Sequence, residues 1–129
     1  MKKYDVFVKS LTVLINADRE QSTTDEIYRM GVIAQFNLTF ELACEAVKET
    51  LIFHGVDMSI KDSSRDILKT AYAINLLSDE NIWLDMLKKR YHFIHVYDET
   101  SNIELVNAIF DDYIKAFVNL KDLYIKCNR

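Results

Sequence analysis

A chain of 129 residues with no proline and only two glycines has few means of turning tightly. Average usage would supply roughly 5% proline and 7% glycine. Strand-rich folds spend those residues on their many turns. Their scarcity points to a few long helices joined by short polar loops. The length suits one domain, 1–129, around a single core.

Hydrophobic spacing predicts where the helices lie. Tyr4, Val8, Leu11 and Ile15 recur at helical steps, so a first helix is expected over about Lys3 to Asp18. The polar run Arg19 to Thr24 reads as a loop. A long second helix is expected from about Thr24 to His54. Its seam Met30, Ile33, Asn37, Phe40, Cys44, Val47 and Leu51 steps by three and four. At 1.5 Å per residue this is a rod of about 45 Å. Asn37 is the polar position in that seam, with Glu41 beside it, and Gly55 is placed to cap the helix end. Ser63-Ser-Arg-Asp66 has the form of a capping box and opens a third helix to about Leu77. Ser78-Asp79 is placed to cap a fourth. In a fifth, over about Ser101 to Lys126, Ile103, Val106, Phe110, Tyr113, Phe117, Leu120 and Tyr124 form the seam. The expected architecture is all-α: an up-and-down antiparallel four-helix bundle with an additional short helix.

Charge narrows the function classes. The net charge of −4 has the wrong sign for a general nucleic-acid coat, so any RNA contact must be local. The dense basic patch is Lys88-Lys89-Arg90, with His92 and His95 beyond it. Cys44 and Cys127 are far apart and read as reduced thiols, and three histidines without a Cys/His cluster give no metal-ligand spacing. No apolar run approaches the roughly 20 residues of a membrane span, and the start lacks the apolar core of a signal peptide. A cytoplasmic setting is expected.

The segment Arg90-Tyr-His-Phe-Ile-His95-Val-Tyr97 carries the chemistry. A guanidinium can grip a phosphate in two prongs. An imidazole can move a proton near neutral pH. Arg90 shares a stripe with Trp83, Leu87, Ile94 and Tyr97, so it points toward the apolar side and needs a partner, which Glu41 or another group of the second helix could supply. Arg90 and His95 are five residues apart, which on one straight helix turns them about 140° from each other. Either the helix ends before His95 or a second copy of the chain completes the site.

In this order of segments the pattern Arg-x4-His-x-Tyr resembles the HEPN superfamily. More narrowly, it resembles the nucleotidyltransferase substrate-binding proteins, partners of minimal nucleotidyltransferases. Phe36 to Leu51 is similar to that family's long second helix, and Ser63 to Tyr72 to its third. Glu80 to Glu99 is the closest stretch, with Trp83, Asp85, Met86, Leu87, Arg90, His95, Tyr97 and Asp98 in place. The resemblance departs at Tyr91, where active members often carry Asn, Asp or His, and at Cys44, where relatives commonly have tryptophan.

The resemblance implies a bundle that forms a homodimer and assembles with a cognate minimal nucleotidyltransferase as a heterotetramer or larger. In many such pairs the HEPN member is a toxin, a metal-independent endoribonuclease. The transferase is then the antitoxin and adds AMP to a tyrosine. Carried over, Arg90 and His95 would be catalytic, Tyr97 the AMP acceptor, and Glu41, Asn37, His92 and Asp98 supporting residues. No cofactor would sit on this chain, because ATP is used by the transferase; RNA would be the substrate. The alternative is a non-catalytic substrate-binding subunit of a two-component nucleotidyltransferase, which Tyr91 and the acidic balance favour. A third reading is a purely structural helical dimer. Taken alone, Arg90 is also explained by a buried ion pair and Asp98-Glu99 by a helix cap.

Overall fold

The structure, a computed structural model, describes residues 2–59, 62–90 and 98–127. Its elements are α1 (Lys2–Ile15), α2 (Arg19–Thr24), α3 (Glu26–Phe53), α4 (Ser64–Ala73), α5 (Glu80–Arg90), α6 (Glu99–Ala108), a π-helical turn (Ile109–Tyr113) and α7 (Ile114–Cys127). No strand occurs among the described residues. The fold is the expected helical bundle.

The long rod α3 is the centre. It packs against α1, α2, α4, α5 and α6. A helix touched on so many sides needs apolar residues on more than one stripe. Accordingly, the expected seam from Ile33 to Leu51 is joined by buried Val32, Phe36, Ala43 and Ala46. Thr39 and Thr50 are buried too, because each hydroxyl donates back to the carbonyl four residues earlier, Gln35 O at 2.8 Å and Ala46 O at 2.9 Å. Around α3 stand Phe7, Phe117, Tyr113 and Trp83, all essentially without solvent contact. Each such side chain contributes roughly 1.5–3 kcal/mol through burial.

The structure corrects several boundaries. The buried face of α1 runs through Phe7, Leu11 and Leu14, while Ile15 is exposed and Tyr4 and Val8 lie at the flank. The apolar count at four- and three-residue steps could not see Ser10, which is buried because its hydroxyl meets that of Thr39 at 2.7 Å. The run Arg19 to Thr24 is helix, not loop. Asp18 caps its start by accepting from the Gln21 N–H at 3.2 Å. At its end, buried Arg29 donates from Nε to Ser22 O at 3.0 Å and from Nη2 to Thr23 O at 3.1 Å. A six-residue helix is too short for periodicity to show, and part of its capping comes from α3.

The capping box at Ser63 and Asp66 is present, with Ser63 Oγ accepting from the Asp66 N–H at 3.2 Å and Asp66 accepting from the Ser63 N–H at 3.1 Å. That helix ends at Ala73, short of the expected Leu77. Asn75 is left-handed (φ 62°), and the bonds Asn75 N–H to Tyr72 O and Leu76 N–H to Ala71 O close a Schellman turn. Gly55 ends α3 in the same way at φ 84°. The α5 start differs as well: Asp79 is left-handed (φ 57°) and opens the helix through its carbonyl, which accepts from Ile82 and Trp83.

The last expected helix is interrupted by the π-helical turn. Up to the first residue of that turn the buried positions are Asn102, Leu105, Val106 and Ile109; Val106 lies on the expected seam, whereas Asn102 and Ile109 stand one position before the expected Ile103 and Phe110. After it Tyr113, Phe117, Leu120 and Tyr124 are buried as expected. The wider turn absorbs the residue by which the two stripes are out of step.

Candidate functional site

Arg90 is the last residue of α5, beside Lys88 and Lys89. Three cations there oppose the partial negative charge of a helix C-terminus. Trp83 and Met86 anchor the buried face of the helix, and this turns Arg90 inward. Its side chain is only 12% exposed and forms an ion pair with Glu41 on α3. The guanidinium also lies over the Phe40 ring, 5.7 Å from its centroid, a cation–π arrangement. Phe40 rests against Trp83, with centroids 6.1 Å apart, and Trp83 meets Phe117 edge-on at 5.6 Å. The cation is thus seated on an aromatic floor continuous with the core.

Of the residues singled out from the sequence, the structure brings Arg90 and Glu41 together. Asn37 stands one turn before Glu41 on α3, half-buried, and its Oδ1 has no hydrogen-bond partner among the described residues. Asp98 lies at the start of α6 and caps it, accepting from the Thr100 N–H at 3.2 Å and from Ser101 Oγ at 2.8 Å. No bond joins Asn37 or Asp98 to the Arg90–Glu41 pair. His92, His95 and Tyr97, together with Tyr91, lie outside the described residues.

Cys44 sits one turn beyond Glu41 and is buried. Burial pushes its thiol up to about 12; a hydrogen bond with Ser64 and the charge of Arg90 oppose the rise, and Glu41 adds to it. A thiol held neutral in this way is a packing group and not a nucleophile. Among the described residues no group of His, Cys, Asp and Glu could hold a metal ion.

One polar pair was not foreseen. Tyr113, in the π-helical turn, donates its hydroxyl to Asp85 on α5. Burial, and then that bond and the Asp85 charge, push the phenol far above its ordinary value. The Tyr113 ring stacks on Phe36 at 5.3 Å. Its seam position signalled burial, but nothing in the spacing signalled an acid partner; a buried tyrosine's need for a hydroxyl partner was the available clue.

Residues 1–124 match the family described as "Nucleotidyltransferase substrate binding protein like". The chain belongs to this family. No curated protein matches it. The family match spans α1 to α6 and most of α7, so the bundle above is a HEPN-like nucleotidyltransferase substrate-binding fold. Arg90 and Glu41 lie well inside the matched stretch. Among the described residues, no helix is long and apolar enough to cross a membrane.

Proposed function

We propose that this chain, acting as one domain over 1–129, is the protein partner of a minimal nucleotidyltransferase and a metal-independent endoribonuclease whose activity the transferase silences by AMP transfer to Tyr97. The observation that carries the reading is the seating of Arg90. A cation held inward by Glu41 and Phe40, preceding in sequence the segment that contains His95 and Tyr97, supports a role on phosphate. The 2′-hydroxyl of RNA attacks its own phosphorus as the bond to the 5′-oxygen breaks. His95 takes the proton from the hydroxyl or returns one to the leaving oxygen, one role per copy in a homodimer. Arg90 stabilises the charge that builds on the phosphorane. In silencing, the Tyr97 oxygen attacks the α-phosphorus of ATP on the transferase and pyrophosphate leaves. The added phosphate brings bulk and negative charge where RNA would lie.

A second reading is favoured by a specific observation. Glu41 already neutralises Arg90, in a chain with net charge −4. On this reading the protein presents a substrate to the transferase and cuts nothing. Intact-mass measurement after co-expression with the transferase tests the modification: a gain in AMP steps, absent in Tyr97→Phe, is expected. RNA cleavage by the purified chain, lost in His95→Ala while the dimer persists, separates the two readings. If His95→Ala cuts as fast as the wild type, the ribonuclease site is wrong. If AMP is added but no RNA is cut and expression alone does not arrest growth, the substrate-presenting reading stands.

A further inference from the structure

From Met30 to Phe40 the chain carries no charged residue. The stretch belongs to α3, which meets solvent along one side. A helix at a protein surface ordinarily places its charges there. Here the exposed positions from Ile27 to Leu38 are Ile27, Gly31, Ala34 and Leu38, and none has a polar side chain. They step by four, three and four, so they form one line along the rod. Ile27 is 86% exposed and Leu38 50%. Beyond Leu38 the same line turns acidic, at Glu41 and Glu45.

The first helix widens the strip. The Ser10 hydroxyl meets that of Thr39, and Val6 and Val13 stand one turn to either side of Ser10. They are 46% and 59% exposed. Between α1 and α3 lies a groove of about 410 Å³, with Val13, Ala17, Ile27, Gly31 and Gln35 in its lining. Its floor is open at Gly31, where a Cβ would meet nothing within 4 Å. Apolar surface gathered in this way, and not scattered singly, marks a protein contact.

A second copy and the transferase are the two proteins that could cover it, and geometry separates them. A two-fold axis through the middle of the strip, between Gly31 and Ala34, leaves the two Glu41 residues about 25 Å apart along the paired rods. Arg90 is held at Glu41, and neither side chain spans that gap. Groups that act together on one phosphate must come within about 3 Å of the reacting atoms. A copy seated on the strip therefore cannot complete the shared site of the ribonuclease reading. The transferase has the opposite requirement. It must reach Tyr97, seven positions after Arg90 in sequence, and the strip ends at Leu38, one turn from the Arg90–Glu41 pair. We propose that the uncharged strip formed by α1 and the first half of α3 is the docking surface for the transferase, which lays an apolar face of its own along it. The inference rests on the partnership proposed above and assigns that partnership a surface.

The test is calorimetric titration of the whole chain with the cognate transferase, beside light scattering of the chain alone. Ile27→Lys changes a side chain that stands in solvent, and Gly31→Gln adds a Cβ where no atom lies. Both variants should match the wild type in circular dichroism. Each is expected to weaken transferase binding at least about tenfold, as a charge or added bulk at the centre of an apolar contact does. Ile125→Lys places the same charge on an exposed isoleucine of α7 and should leave the affinity unchanged. The mass of the chain alone should be the same in all four proteins. Wild-type affinity in both folded strip variants overturns the surface and leaves the partnership standing, and so does an equal weakening in Ile125→Lys. Loss of self-association in Ile27→Lys overturns it by assigning the strip to a second copy. If the wild-type chain does not bind the transferase, the partnership fails and the surface with it.

Discussion

At Arg90 a single side chain serves packing and charge together. Its guanidinium lies over the Phe40 ring and also meets a carboxylate that is half exposed. Such a pair lies between the surface case, worth little, and the buried case, where loss of one partner is costly. Glu41→Gln is expected to lower stability by about 1–2 kcal/mol in urea unfolding, and Arg90→Ala by more, because the stem is lost too. Equal losses would show that the stem contributes nothing. Tyr113 makes the complementary case. Its phenol titrates above the ordinary value of 10 in the folded chain. The unfolded chain therefore ionises first as pH rises. The contribution is whole below pH 10 and disappears as pH climbs toward the raised folded value. Tyr113→Phe should cost about 1 kcal/mol near neutral pH by removing the bond to Asp85. It should also flatten the fall of thermal midpoint above pH 10. An unchanged alkaline slope would mean that other groups govern it.

At the scale of the element, what was legible in the sequence was what the chain encodes locally. Ser63 and Asp66 spell a capping box three residues apart, and Gly55 supplies a left-handed C-cap without steric cost. The α3 seam was legible because it repeats over many turns. The misses have non-local or register causes. Part of the capping of α2 comes from Arg29 of the next helix, α4 ends on a left-handed Asn instead of a Gly, and the last helix shifts its stripe through a π-helical turn. That Arg90 needs a partner on α3 was legible because an arginine on an apolar stripe demands one; Glu41 was one of the groups open to that role, and the ion pair selects it. The Tyr113–Asp85 bond was not, since its two residues are distant in sequence and the spacing of neither names the other. One element-scale feature is open to improvement. Gly31 lies in the second turn of α3, its φ is ordinary, and an added Cβ would meet nothing within 4 Å. Gly31→Ala is expected to stabilise the chain by about 0.5–1 kcal/mol in chemical unfolding, as a glycine removed from a helix interior does. A loss of stability there would mean that this face of α3 needs its close backbone.

For the whole molecule, acid is the informative stress. The Ser63 backbone and hydroxyl hold the Asp66 carboxyl below its ordinary 3.8, and Arg19 does the same for Asp111 across the α2–π-turn contact. Both pKa values are depressed by folding. Their stabilising contribution is therefore whole above pH 3.8 and is lost as pH falls through the lowered values. The thermal midpoint should drop below about pH 4, and the drop should shrink when Asp66→Asn and Asp111→Asn are combined. An equal drop in that variant would assign acid sensitivity to other carboxylates. The buried guanidinium of Arg29 has a consequence of a different kind, in time. Its bonds to Ser22 and Thr23 span seven and six positions, whereas its ion pair with Glu99, at 3.9 Å, joins the first third of the chain to the last. Short loops close sooner than long ones. The α2–α3 corner can therefore assemble before the later helices arrive and present a prepared surface for α6 to meet. In chevron kinetics Arg29→Met should mainly slow refolding, while Glu99→Gln should mainly quicken unfolding. The reverse pattern would place the start of folding at the other end of the chain.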